Sequence, residues 1–196
     1  EPTNDVAGLK YADKWGMEGI IFDNDKGGLG FGGYDYPATG QVTNSSFHHN
    51  TCLHNDVLAT GQGELYINYA LSCVVKNNIF SSTAQNRLLT TTIGNVSGNI
   101  LNYNLWWTPG GINDASVDYN GTIYAKFSDY ISATGQDQHS LFADPRFIST
   151  SLPGADLHLQ PGSPAIDAGD PMFVAAGGEV DPDGNPRLAG TRVDIG

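Results

Sequence analysis

Positively charged residues are scarce in this chain. Nine of its 196 residues are lysine or arginine, against 21 aspartates and glutamates, and the formal net charge is −12 at pH 7. Binding to nucleic acid requires clustered basic side chains that neutralise phosphates. The deficit therefore argues against nucleic acid, and against an acidic lipid surface, as a partner.

Long apolar runs are missing as well. No segment reaches the roughly 20 apolar residues that a membrane-spanning helix needs, so we expect no membrane insertion. The chain opens with Glu1 and Pro2, which do not resemble the basic start of a signal peptide. We therefore expect a mature or excised piece of a longer protein.

Apolar residues amount to only 39% of the chain, whereas glycine contributes 25 residues. Glycine and asparagine are poor helix formers, so the composition predicts one all-β domain of short strands joined by many turns. A short helix is predicted over residues 4–15, where Asn4 is a suitable N-cap. The alternative for this segment is the remnant of a preceding repeat.

A short motif recurs along the chain. Residues 75–80 read VKNNIF, and looser copies occur at residues 17–22, 42–47, 96–101 and 117–122. The spacings of 25, 33, 21 and 21 residues predict a repeat near 21 residues with loops inserted into some copies. Asparagine tolerates a left-handed backbone, so the motif fits a bend between two strands. We expect the asparagines to stack into a ladder, with valine and phenylalanine stacked beside them; a β-sandwich with coincidental turns is the alternative.

Cys52 and Cys73 lie 21 residues apart, which is one length of this repeat. Stacked residues would be separated by the strand spacing of about 4.8 Å, which a disulfide accepts. A bridge formed in an oxidising compartment and two buried thiols are the two alternatives. The pair lacks the CxxC spacing of a zinc or redox site.

The C-terminal segment carries the most specific pattern. It consists of four stretches: residues 140–147 (SLFADPRF), 156–169 (DLHLQPGSPAIDAG), 181–187 (DPDGNPR) and 193–196 (VDIG). Together with the repeats, this succession resembles the C-terminal portion of right-handed parallel β-helix repeat proteins of the pectin-lyase-like superfamily. The resemblance implies a solenoid of about five coils over residues 17–139, a final coil and capping segment over 140–196, and a cap or coil remnant over 1–16.

The resemblance also implies a bacterial or archaeal protein that is secreted or lies on the cell surface. Proteins of this fold are mostly polysaccharide lyases and glycoside hydrolases, so we expect a polysaccharide to bind along the parallel-sheet face. The alternative is a non-catalytic adhesin or a structural protein that self-associates through its coil ends. Because a fold hosts many functions, the chemistry has to be argued from the site.

Asp23, Asp25 and Lys26 are the candidate catalytic residues. They follow a predicted strand and precede a glycine-rich run. A lyase needs a base near the uronate C5 proton and a cation or donor that stabilises the carboxylate, and these residue types supply both. The alternative is a solvated turn.

Candidate substrate-binding residues lie on the next predicted strands. Residues 64–69 alternate, which places Leu65 and Ile67 inward and Glu64, Tyr66 and Asn68 outward. An outward tyrosine stacks on a sugar ring, and an amide hydrogen-bonds its hydroxyls. Two further candidates are Arg87, which could pair with a uronate carboxylate, and Trp107, because Trp106 and Trp107 are adjacent and cannot both lie in the core.

Two clusters raise the question of a metal. His48, His49 and His54 fall within seven residues, but His48 and His49 would point to opposite faces of a regular strand and so not share one site. Asp181, Asp183 and Asn185 alternate like the first ligands of a calcium loop. The later glutamate of a calcium-binding loop is missing from the sequence, so an ordinary turn is the favoured prediction for these residues.

Overall fold

The structure is a computed structural model that describes residues 7–9, 12–13, 16–33, 40–82, 85–92, 94, 96–151 and 154–196. Short strands dominate this part of the chain, and the predicted all-β class is confirmed. In chain order the elements are β1 (Ala7–Leu9), β2 (Ala12–Asp13), β3 (Gly16–Phe22), β4 (Leu29–Gly32), β5 (Val42–Thr43), β6 (Ser46–Leu53), β7 (Leu65–Asn68), β8 (Ala70–Leu71), β9 (Val74–Lys76), β10 (Ile79–Ser81), β11 (Arg87–Thr91), β12 (Ile100–Asn102), β13 (Leu105–Trp107), β14 (Ser116–Tyr119), β15 (Thr122–Tyr124), α1 (Phe127–Thr134), β16 (Leu141–Phe142), β17 (Phe147–Ser149) and β18 (Asp156–Leu159).

Three sheets are built mainly from parallel pairs. Sheet A has the order β1-β4-β7-β11-β14-β15, and sheet B has the order β2-β5-β8. Sheet C has the order β12-β9-β6-β10-β13-β16, with β3 also paired to β6. Strand β6 is long enough to pair with β9 through its first residues and with β10 through its last residues. A separate antiparallel pair joins β17 to β18.

The N-terminal helix predicted over residues 4–15 is wrong where the structure describes this segment. Strand β1 pairs in parallel with β4, and β2 pairs in parallel with β5. The remaining residues of that segment lie outside the described ranges. A glycine within the segment, at Gly8, already weakens a helix.

The predicted repeat length of 21 residues is also wrong. Ser46 pairs with Val74 and Val74 with Ile100, which gives steps of 28 and 26 residues. The motif comparison aligned Asn78 with Asn99, but these two asparagines occupy different turns. Asn99 accepts a hydrogen bond from the backbone of Cys73, whereas the true counterpart of Asn78 is Asn104.

Stacked apolar columns form the core. Phe47, Val75 and Leu101 are successive partners in one column. Phe80, which the motif equated with Phe47, lies in a second column and stacks on Trp106 with ring centroids 4.4 Å apart. These five side chains are almost completely buried, so side chains that share a sheet position supply a continuous core.

A ladder of buried asparagines runs beside these columns, as predicted, but of its members only Asn78 belongs to a copy of the motif. The Asn50 amide donates to Asn78 Oδ1 at 2.8 Å, and the Asn78 amide donates to Asn104 Oδ1 at 3.0 Å. Each ladder residue follows a residue with a left-handed backbone, and these are His49, Asn77 and Tyr103 with φ of 52°, 57° and 55°. Three equivalent bends therefore place three amides in line, where each saturates backbone groups that burial would leave unpaired.

The ladder ends on a buried carboxylate. Asp137 accepts hydrogen bonds from Asn104, Trp106, Tyr130 and Ser140. Burial raises the pKa of Asp137, and the hydrogen bonds from these side chains oppose the rise. The segment that carries Asp137 follows α1, so the ladder also fixes the C-terminal portion on the sheets.

Parallel addition to sheet A stops at a hairpin. Strands β14 and β15 are antiparallel and joined by Asn120 and Gly121, with φ of 51° and 78°. Asn-Gly with two positive φ values is the preferred two-residue hairpin connection. Helix α1 follows; it buries Phe127 and Tyr130, and its C-cap Gly135 has a left-handed conformation.

Candidate functional site

A row of polar side chains crosses the outer face of sheet A. Tyr66 on β7 is the register partner of Thr90 on β11, and Thr90 is the partner of Asp118 on β14. The three residues alternate with buried apolar residues on their strands, so they face away from the core. All three are half-buried, and we call them the Tyr66 row.

Arg87 lies across this row because of an irregularity in β11. A register shift between Arg87 and Leu89 leaves Leu88 and Leu89 both buried and turns Arg87 to the same face as Thr90. The guanidinium donates to Ser116 Oγ at 3.1 Å and to Thr90 Oγ1 at 3.4 Å. The structure therefore brings the predicted residues Tyr66 and Arg87 together.

Asp118 is the anionic partner of Arg87 and was missed by the sequence analysis. Its Oδ2 lies 3.5 Å from Arg87 Nη1, and both side chains are about one quarter exposed or less. Its Oδ1 is buried and has no hydrogen-bond partner. Residues 117–122 were assigned to a copy of the repeat motif. That assignment gave no indication that Asp118 lies on the outward face of a strand.

The outward orientation predicted for Glu64 and Asn68 is wrong. Glu64 is completely buried; its carboxylate accepts hydrogen bonds from the backbone N–H and the side-chain amide of Asn55, at 3.0 and 2.7 Å. Asn68 is 5% exposed and donates to the carbonyl of Gly33. Both residues flank the outward Tyr66, and both turn inward because backbone groups of neighbouring loops need partners there.

Burial raises the pKa of Glu64 from its ordinary value of 4.5 to about 8. The two hydrogen bonds from Asn55 lower the pKa, and the nearby Asp56 carboxylate raises it further. A carboxyl group with a pKa near neutrality is often catalytic, but a side chain with no exposed surface does not reach a polysaccharide. Glu64 therefore has a structural role: it holds the loop around Asn55 in place.

Asp23 forms a pair with His54. Both residues have a left-handed backbone, with φ of 57° and 54°, and they follow the paired strand ends Phe22 and Leu53. His54 Nδ1 lies 3.2 Å from Asp23 Oδ1, and each side chain is more than one third exposed. A carboxylate beside an accessible imidazole suits general acid–base chemistry, and the sequence analysis did not connect His54 to Asp23.

Asp25 and Lys26 are exposed on the loop after Asp23. Their carbonyls accept backbone hydrogen bonds from Leu58 and Asp56, so this loop is fastened to the one that precedes β7. The second loop then reaches the Tyr66 row, because Thr90 Oγ1 donates to the carbonyl of Gly61 at 2.6 Å. The second loop therefore connects the candidate catalytic loop to the Tyr66 row.

Trp107 does not belong to this face. It lies on β13 in sheet C, pairs with Ser81 on β10, and contacts Phe142 with ring centroids 6.1 Å apart. With the segment around Phe147 it lines an open groove of about 520 Å³. Trp106 is completely buried, so one of the two adjacent tryptophans packs inward, as predicted.

Cys52 and Cys73 are both buried and free. Cys52 pairs with Ile21 and Phe80, whereas Cys73 lies just before β9 in another part of the register. The stacking on which the bridge depended is therefore not formed. Burial raises the pKa of both thiols.

The calcium-like residues form a turn. Asp181 Oδ1 accepts the backbone N–H groups of Asp183 and Asn185 at 3.0 and 2.8 Å. Asp183 Oδ2 instead lies 2.7 Å from His158 Nε2. Asp181 therefore closes the turn and Asp183 attaches it to β18, and the favoured prediction of an ordinary turn is confirmed.

His48 and His49 do not point apart as a regular strand requires. The left-handed backbone of His49 breaks the alternation of β6, and the two Nδ1 atoms lie 2.9 Å apart. Histidine is one of the residue types in which a positive φ occurs more often. No pattern in the sequence signalled its occurrence at this position.

Helix α1 has eight residues, and no helix in the described ranges has the length and apolar character needed to cross a membrane.

Comparison with known proteins gives little functional information. No family model and no solved structure matches the chain. The chain is similar to "Uncharacterized protein YwoF" of Bacillus subtilis (strain 168), with 28% identity over 167 residues that cover 84% of this chain. The match covers 35% of that protein, so the chain spans about a third of the relative's length.

Proposed function

We propose that the chain is a parallel β-helix of a secreted or cell-surface protein that binds a polysaccharide along the outer face of sheet A. The order in which the chain visits the sheets supports the architecture: β1 to β3, β4 to β6 and β7 to β10 each pass through sheets A, B and C in turn. The parallel pairs and the asparagine ladder support the same winding.

The observation that carries the binding proposal is the Tyr66 row with Arg87 above it. Successive strands lie about 4.8 Å apart, so the row presents an aromatic ring, a hydroxyl and a carboxylate at regular intervals. Sugar rings stack on aromatic faces, and their hydroxyls hydrogen-bond to carboxylates and hydroxyl groups. Arg87 adds a planar donor group suited to the carboxylate of a uronate.

Arg87 also determines the class of sugar that the proposal favours. Its ion pair with Asp118 is long, at 3.5 Å, so a uronate carboxylate that makes a shorter bidentate pair competes with Asp118. The net charge of −12 repels an anionic polysaccharide as it approaches the protein. We therefore expect binding of uronate-containing polysaccharide to depend on Arg87 and to need screening salt.

The proposed reaction is cleavage of this polysaccharide by a lyase or hydrolase mechanism. Asp23 and His54 form the acid–base pair, with Asp23 orienting the imidazole. Lys26, exposed on the same loop, supplies a cation that stabilises developing negative charge. The test separates binding from chemistry, because the pair and the Tyr66 row lie on different elements.

The experiment incubates the protein with a panel of uronate and neutral polysaccharides and measures bound glycan, unsaturated ends and new reducing ends. Arg87→Ala is expected to abolish binding and cleavage together, and Asp23→Asn to abolish cleavage while binding persists. Arg146→Ala is the matched control, since Arg146 is exposed elsewhere and bonds the carbonyl of Gly162.

Binding without products from the unchanged protein would refute the catalytic part of the proposal and favour a non-catalytic adhesin. The absence of binding to every polysaccharide in the panel, or equal binding by the Arg87→Ala variant, would refute the binding face itself.

A further inference from the structure

The two adjacent histidines of β6 form a pair with converging ring nitrogens. Their Nδ1 atoms lie 2.9 Å apart, and the ring planes are nearly perpendicular, at 86°. Two ligands bound at about 2.1 Å to one tetrahedral ion are separated by about 3.4 Å. The two Nδ1 atoms, which share a hydrogen bond at 2.9 Å, therefore need to part by about 0.5 Å to bind one ion.

Glu179 completes the group from the C-terminal segment. One ring nitrogen of each histidine and a carboxylate oxygen of Glu179 lie within 4.8 Å of one another. Glu179 Oε2 accepts the backbone N–H of Ala176 at 2.7 Å, which fixes the carboxylate. Its Oε1 is buried and has no hydrogen-bond partner, although Arg187 Nε lies 3.9 Å away.

His49 is the more deeply buried histidine of the pair. The residue is 4% exposed, and its Nε2 has no hydrogen-bond partner. Phe173 packs edge-on against its ring, with centroids 4.7 Å apart. A buried polar atom without a partner is rare and costly, and Glu179 Oε1 is such an atom within this cluster.

We infer that His48, His49 and Glu179 bind a divalent first-row transition metal, with Zn²⁺ as the expected ion. Two imidazoles and one carboxylate form a donor set that Zn²⁺ uses in proteins. The hard ions Ca²⁺ and Mg²⁺ prefer sites made of oxygen ligands. Ligands of a tetrahedral Zn²⁺ lie about 3.4 Å apart, so the separation of up to 4.8 Å has to close by about 1.4 Å when the ion binds.

Two positive charges lie near the proposed site. Lys76 is the register partner of His48, but Asp170 neutralises it at 2.7 Å. Arg187 faces Glu179 over 3.9 Å, a distance at the outer limit of an ion pair. Both side chains are largely buried, at 9% and 15% exposed, so a bound ion has to compete with Arg187 for the carboxylate and offset the loss of that contact.

The site would join two distant parts of the chain. His48 and His49 belong to a strand of sheet C, whereas Glu179 lies in the C-terminal segment, 130 residues after His49. An ion bound to all three holds that segment on the strand and stabilises the folded state, because the unfolded chain does not offer the three ligands together.

The test titrates the full chain with Zn²⁺ at pH 7 by calorimetry and follows its melting temperature. We expect one Zn²⁺ per chain and a rise in melting temperature. Glu179→Gln keeps the size of the side chain, and it should weaken Zn²⁺ binding by roughly tenfold or more. His48→Ala should do the same, whereas Ca²⁺ should not bind.

His139→Ala is the matched control. His139 is an exposed histidine that stacks on Tyr103, with ring centroids 5.1 Å apart, away from Glu179. Its loss should leave the affinity for Zn²⁺ unchanged. Equal Zn²⁺ affinity in the wild type and the Glu179→Gln variant, or no stoichiometric binding by the wild type, would overturn the assignment.

Discussion

Replacing Glu64 with glutamine is expected to remove a pH dependence from the folding stability. The pKa of Glu64 is about 8 in the folded protein and 4.5 as its ordinary value. The folded state thus holds the proton more tightly than the unfolded state does. The stabilising contribution is complete below pH 4.5 and is lost as the pH rises through 8.

The size of the effect follows from the shift. One pKa unit corresponds to about 1.4 kcal/mol, so the free energy of unfolding should fall by about 1 kcal/mol between pH 7 and 8 through Glu64 alone. His49 contributes with the opposite sign, because its pKa is lowered to about 3. Its contribution is lost as the pH falls from 6.5 to 3, so it hardly changes above pH 7.

The assay is urea unfolding of the wild type and of Glu64→Gln at several pH values between 6 and 8.5, under reducing conditions. Glutamine presents an N–H₂ group near the Asn55 amide, which donates to Glu64 at 2.7 Å. This mismatch lowers the free energy of unfolding by about 1–3 kcal/mol at every pH. It therefore lowers the plot of unfolding free energy against pH without changing the slope. The result of interest is the difference in slope.

Asp129→Asn is the control, since it makes the same carboxyl-to-amide change at an exposed position on α1. Its pH profile should parallel that of the wild type. If the wild type and Glu64→Gln show the same slope between pH 7 and 8, Glu64 is ionised in the folded protein and the account of its burial fails.

Three further predictions concern the ladder, one loop and one histidine. Asn78→Ala removes the middle of the asparagine ladder and should lower the free energy of unfolding by about 3 kcal/mol or more, measured by urea unfolding, because several buried groups lose their partners. Gly61 and Gly63 both have positive φ, but only at Gly63 would a Cβ meet backbone, 2.8 Å from Leu88. Gly61→Ala should therefore cost about 1 kcal/mol and Gly63→Ala clearly more; equal losses would contradict the contact. His158 should titrate above pH 6.5 by NMR, because hydrogen bonds from its ring, first to Asp156, raise its pKa, and Asp156→Asn should lower the midpoint.

The sequence predicted the asparagine ladder because the residue type itself indicates the bend. Asparagine combines tolerance of a left-handed backbone with a side chain that serves as both donor and acceptor. The period could not be read in the same way, since Asn99 and Asn104 belong to different turns of one repeat. Composition and turn chemistry thus predicted the class of fold, and long-range register was needed for the alignment.

The candidate site was predicted only in part for a related reason. Alternation along residues 64–69 identified Tyr66 correctly, because its neighbours Leu65 and Ile67 are buried. It misplaced Glu64, since it ignored the unpaired groups of the loop around Asn55. The positions of Arg87 and of His49 depend on a bulge and on a positive φ, and neither is visible in residue type alone.

The strand steps within sheet A are unequal. Leu29 pairs with Leu65 after 36 residues, whereas Leu65 pairs with Leu89 after 24. Part of the extra chain, residues 54–64, forms a loop held by its own carboxylate, Asp56, which accepts backbone N–H groups of Thr60, Gly61 and Gly63. Neighbouring layers therefore keep their height whatever length of chain joins them. Such a loop lies next to the polar face. Insertions or substitutions in it can therefore change what the face binds without changing the packing of the stacked core.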